Sequence, residues 1–79
     1  MAFDNKYGRI TAENKVFHDD EPLFVLRATD RNVVETILEY ATICHAAGCS
    51  EAHVQGVKAQ AEAILKWQSM HPELVKLPD

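Results

Sequence analysis

From Ser50 to His71 the chain reads SEAHVQGVKAQAEAILKWQSMH, and its apolar residues fall on two sides of a helix. At about 100° per residue, Val54, Val57, Ala61, Ile64 and Leu65 share one face. Ala52, Gly56, Ala59, Ala63, Trp67 and Met70 share the nearly opposite face. Lys58, Glu62 and Lys66 lie between them on one flank, Gln60 and His53 on the other. A lone small domain needs only one apolar stripe on such a helix. The second stripe predicts a partner, and a second copy of the chain is the simplest. Ala52, Gly56, Ala59, Ala63, Trp67 and Met70 are therefore the expected oligomer interface.

An earlier helix is expected over residues 30–47. Val33, Val34, Ile37, Leu38, Ala41 and Cys44 form its core stripe, with Thr36, Tyr40, Ile43 and Ala47 as a weaker one. Thr29 or Asp30 is suited to its N-cap, and Gly48 to the position just past its end, where positive φ is common. Ser50 then caps the second helix, expected over residues 50–71. So short a link predicts antiparallel helices. Pro72 stops the second helix, and the tail 72–79 offers Leu74, Val75 and Leu77 for docking.

Ahead of the helices, residues 1–6 read as loose. Tyr7–Thr11 (YGRIT) carries β-favouring residues. The polar stretch Ala12–Glu21 ends in Asp19-Asp20-Glu21 and reads as a loop. Pro22 opens the apolar run Leu23–Leu26. The expected architecture is one α+β domain over residues 1–79: a short β-hairpin in 7–27, then a two-helix hairpin that oligomerises through its second helix. Two strands alone are marginal. The β-hairpin is therefore expected to lie on the helices or on another copy, with Phe24 and Leu26 over a core of Ile37, Leu38, Val57, Ile64 and Leu65.

Composition narrows the function. Seventy-nine residues bury a marginal core, which favours association. A net charge of −4 leaves no footprint for DNA or RNA. The acidity concentrates in residues 1–40, which hold eight acidic and five basic side chains. No apolar run approaches the roughly 18 residues of a membrane span. MAFDNKYGRI lacks the apolar segment of a signal peptide, so a cytoplasmic protein with reduced Cys44 and Cys49 is expected.

Candidate chemistry is sparse. His45, Cys49 and His53, with Cys44 or His18 fourth, have zinc-type ligands at spacings no known finger uses, so no metal is expected. Cys44 lies on the core stripe, where it serves as a small apolar filler, and Cys49 reads as an ordinary thiol. The acidic run is too short for an EF-hand loop. No catalytic residue and no cofactor are assigned, and the chain reads as a binder rather than an enzyme. The segment Leu26–Arg31 (LRATDR) carries more. It enters a helix N-terminus, where free N–H groups and the helix dipole suit an anion. Arg27 and Arg31 add guanidinium forks, and Thr29 a hydroxyl. Asp30 competes for the same end, and an Arg31–Glu35 pair would account for one arginine without a ligand. Tyr7, Arg9 and Trp67 complete the candidate ligand-binding set as stacking surfaces for a base.

YGRIT, the acidic loop, DEPLFVLRATD (Asp20–Asp30) and a helical hairpin ending near Trp67 together resemble a group of short bacteriophage proteins. The resemblance covers residues 7–70, and no functional residues carry over from it. It implies a phage-encoded protein in the host cytoplasm that acts by binding. One expectation is a sponge for a nucleotide signal of bacterial immunity. The alternative is an adaptor or inhibitor that holds a host defence protein on the exposed apolar face of its second helix.

Overall fold

The computed structural model describes residues 2–78. Helix α1 spans Val33–Ala46 and helix α2 spans Glu51–Met70, packed together as a hairpin. The turn between them follows from its sequence. Gly48 adopts φ +88°, in the left-handed region that glycine occupies without strain. The Ser50 hydroxyl oxygen accepts the N–H of His53 at 3.2 Å, satisfying a free donor at the start of α2. The start of α1 differs from expectation. Asn32 holds the N-cap position without a side-chain bond. Asp30 acts in the turn before it: its carboxylate accepts the N–H of Asn32 at 2.8 Å, and its carbonyl accepts that of Val33 at 3.2 Å.

The helices meet along Val33, Ala41 and Cys44 of α1 and Val54 and Ala61 of α2, all buried. Ile37, Val57 and Ile64 are half-buried beside this line. Leu38 and Leu65, expected in the core, are 45% and 52% exposed. The reason is the two alanines. Ala41 and Ala61 are the small residues on which the helices close, so the contact line follows them and both leucines stand to one side.

The N-terminal region is a three-stranded sheet rather than the expected two-stranded hairpin. Strands β1 (Phe3–Asp4), β2 (Gly8–Arg9) and β3 (Pro22–Leu23) lie in the order β2-β1-β3. Strand β1 pairs antiparallel with β2 and parallel with β3, placing Phe3 opposite both Arg9 and Pro22. The central strand thus comes from the segment expected to be loose. Asp4 explains it. Its side chain is 5% exposed, and its two oxygens accept three backbone N–H groups: Lys6 at 2.7 Å, Tyr7 at 3.0 Å and Val25 at 2.9 Å. One carboxylate therefore closes the β1–β2 turn and pins the chain leaving β3.

Among the described residues, no strand packs against either helix. The expected cover of the helices by Phe24 and Leu26 is not formed, and Phe24 is 85% exposed. The connection runs instead through backbone at the start of α1. The Lys76 N–H donates to the Thr29 carbonyl and the Arg31 N–H to the Lys76 carbonyl, each at 2.9 Å. From α2, the Gln68 side-chain amide donates to the carbonyls of Ala28 and Asp30 at 3.0 and 3.1 Å. The tail makes a 3-10 turn at Pro72–Leu74 and docks by this backbone pairing. Leu74 and Leu77 stay exposed, and Val75 is half-buried.

The molecule is consequently open. Its radius of gyration is 14.1 Å, against about 11.6 Å for a compact chain of this length. It exposes 6278 Å², where a compact protein of 8.9 kDa exposes about 4,800 Å². Among the described residues, no helix is long and apolar enough to cross a membrane.

Candidate functional site

The gap between the sheet and the start of α1 is a cleft of about 650 Å³. The turn after β1 supplies Lys6 and Tyr7. The chain leaving β3 supplies Phe24, Leu26 and Arg27. Thr29 and Asp30 form the floor, and the tail contributes Lys76. The size falls in the range of small-molecule sites.

The electrostatics of this cleft depend on how its carboxylates are used. Lys6, Arg27 and Lys76 line it together with Asp4 and Asp30. Burial tends to raise the pKa of Asp4, but the N–H bonds from Tyr7, Lys6 and Val25, with the Lys6 charge, outweigh it and hold the carboxyl below its ordinary value. Asp4 is thus an anion whose oxygens already accept bonds from three backbone donors, and Asp30 accepts from Asn32. The Lys6 ammonium lies 5.8 Å from the centre of the Tyr7 ring. No carboxylate among the described residues pairs with the exposed Arg27 guanidinium. An aromatic ring, a hydroxyl and three cationic side chains therefore border one apolar-walled space.

Of the six sequence-derived ligand residues, the fold brings Tyr7, Arg27 and Thr29 together and separates the others. Arg31 borders a shallow groove with Leu38, Leu65, Glu35 and Glu39, and makes no ion pair with Glu35. Arg9 borders a hollow with Lys15, Val16 and Phe17. Trp67 stacks on His71, ring centres 4.5 Å apart and planes at 23°, so it packs near the end of α2. The N–H groups of Asp30, Arg31, Asn32 and Val33 all donate within the chain, so these four amides are already used. The cleft's cationic side chains are Lys6, Arg27 and Lys76.

Lys6, Phe24 and Lys76 were not anticipated as site residues. The first had a signal: Asp4-Asn5-Lys6-Tyr7-Gly8 combines turn formers with a glycine, here at φ +79°, and such a turn places Lys6 beside the chain it faces. Lys76 had none, because it arrives from the far end of the sequence.

The anticipated interface residues Ala52, Gly56, Ala59, Ala63 and Met70 lie exposed along α2, while Trp67 is half-buried. Among the described residues, no group of three or more His, Cys, Asp or Glu is placed to hold a metal ion, and the set around His45, Cys49 and His53 does not assemble. Compared with protein-family models, with curated proteins and with solved structures, the chain matches none.

Proposed function

We propose that this chain is a cytoplasmic, phage-type binding protein, a homo-oligomer that sequesters a nucleotide or another anionic small molecule, an immune signal among the candidates. The observation that carries this reading is the convergence of Lys6, Arg27 and Lys76 with Tyr7 around one cleft. Cationic side chains recognise phosphate by charge-assisted hydrogen bonds, and an exposed ring offers a base a stacking face. The binding is non-covalent, and the chain works by holding its ligand rather than transforming it.

Assembly is supported by surface area. The chain exposes about 1,500 Å² more than a compact protein of its mass, enough for one side of an ordinary or a larger interface. The sheet, with strands of two residues and no helix beneath it, gains the support it lacks if a second copy packs on it. The exposed stripe on α2 also favours a second reading, an adaptor or inhibitor that holds a host defence protein there. Calorimetric titration with mono-, di- and cyclic dinucleotides, together with native mass spectrometry, separates the two. Saturable heat and a multimer retaining ligand support sequestration. No heat with any nucleotide, with a host protein co-purifying only when the α2 stripe is intact, supports the adaptor.

A further inference from the structure

Away from the cleft, a cluster of nucleophilic side chains sits at the turn between the helices. Cys44 is buried in the last turn of α1, and Cys49 is exposed just past Gly48. The left-handed glycine folds the chain back, so that the Cys49 N–H donates to the Cys44 carbonyl at 3.0 Å. Two residues five positions apart thereby become neighbours. In a helix-ending turn of this kind the side chains at the two bonded positions commonly meet, here Cys44 and Cys49. The Cys44 thiol beside them, through hydrogen bonding and its charge, together with some burial, raises the pKa values of Cys49 and Tyr40. The Tyr40 ring in turn meets His53 edge-on at 6.3 Å.

We propose that Cys44 and Cys49 form a redox-active dithiol, a covalent site for small disulfide oxidants that closes to an intramolecular disulfide. Two cysteines on a turn already folded back, with their backbones hydrogen-bonded, are placed to approach the S–S bonding separation of about 2.05 Å. Access fixes the order of events. The exposed Cys49 loses its proton to solvent, and its thiolate attacks one sulfur of glutathione disulfide. This forms a mixed disulfide and releases one glutathione thiolate. Cys44 then loses its proton and attacks the Cys49 sulfur, expelling the second glutathione. Two thiols of the protein are oxidised and one disulfide is reduced to two thiols, so electrons and protons balance. The product ties the end of α1 to the start of α2.

The test is whole-protein mass spectrometry after incubation with glutathione disulfide, alongside Cys44→Ala and Cys49→Ser. Alanine keeps the buried position small and apolar, and circular dichroism confirms that both variants are helical. The wild type is expected to lose two hydrogens and to carry no glutathione at the end point. Cys44→Ala should stop as the single glutathione adduct, and Cys49→Ser should remain unmodified at least tenfold longer. A wild type that ends as a stable adduct, as a covalent dimer, or unmodified when the Cys44→Ala variant reacts would overturn the proposal. Equal reactivity of the two single variants would also overturn it, by removing the order that burial imposes.

Discussion

The side-chain amide of Gln68, on the last turns of α2, donates to the backbone carbonyl of Asp30 at 3.1 Å, across 38 positions of sequence. It also donates to Ala28 at 3.0 Å, so one polar side chain on the helix hairpin holds the segment that floors the cleft. Replacing Gln68 with Ala removes both bonds and should cost about 1–3 kcal/mol. Gln68→Glu should cost more at neutral pH, because an ionised carboxylate only accepts and would face two carbonyls. Chemical denaturation of both variants at neutral and mildly acidic pH checks this. Glu is expected to recover part of its loss as it protonates and regains a donor.

Asp4 sets the acid response of the sheet. Its folded pKa lies below the ordinary 3.8, so its contribution to stability is fully present above that value and is lost as pH falls through the lower folded one. Backbone amides of Lys6, Tyr7 and Val25 should stay protected down to about pH 4 and lose protection below it. Asp4→Asn, which has one acceptor oxygen in place of two and no charge, should show weak protection across the whole range. Amide exchange by NMR reads both outcomes. Protection in Asp4→Asn equal to that of the wild type at neutral pH would show that the carboxylate is not the tie.

The two arginines once paired as ligands should now behave differently. Arg27 borders the cleft and Arg31 a separate groove. For a phosphate-bearing ligand, Arg27→Ala should weaken binding by about 1.5–3 kcal/mol, the loss of a charge-assisted hydrogen bond. Arg31→Ala should change affinity by less than about 0.5 kcal/mol, as an exposed charge outside the site does. Calorimetry on the two variants decides, and equal losses would move the site.

The helix contact predicts an inverted pattern of core sensitivity. Ala61 is buried where the helices meet, so Ala61→Leu should overpack the line and cost about 1–3 kcal/mol. Leu65 is half in solvent, so Leu65→Ala should cost less than the roughly 2–5 kcal/mol of a buried leucine. Thermal unfolding of the pair is sufficient to rank them.

Assembly through the α2 stripe has its own variant. Ala59 is exposed on that face, so Ala59→Glu should leave an isolated chain folded and split an oligomer. Sedimentation at micromolar concentration is the measurement. A wild-type protein that sediments as a monomer throughout that range would remove the homo-oligomer from the reading.

Local rules made much of the helical half legible in the sequence. Periodicity gave both helices to within about three residues at each end, Gly48 gave the turn, and Ser50 gave the cap, because each depends on neighbours within one or two turns. The buried face of α2 was legible in Val54 and Ala61 for the same reason. The second face was legible as apolar but not as to what covers it. The sheet was not legible, since its central strand depends on one carboxylate collecting N–H groups from Lys6, Tyr7 and, across 21 positions, Val25. The exposed leucines were not legible either. Size at Ala41 and Ala61 decides where two helices touch, and hydropathy alone ranks Leu38 and Leu65 above them. The cleft joins residues 4–7, 23–27, 29–30, 76 and 78, and no local pattern connects those segments. Sequence alone determined that arginines lie near a helix start. Tertiary structure decided that Arg27 shares a cleft with Tyr7 and Lys76 while Arg31 borders another groove, because chain reversal and backbone pairing, not spacing, set which side chains share a space.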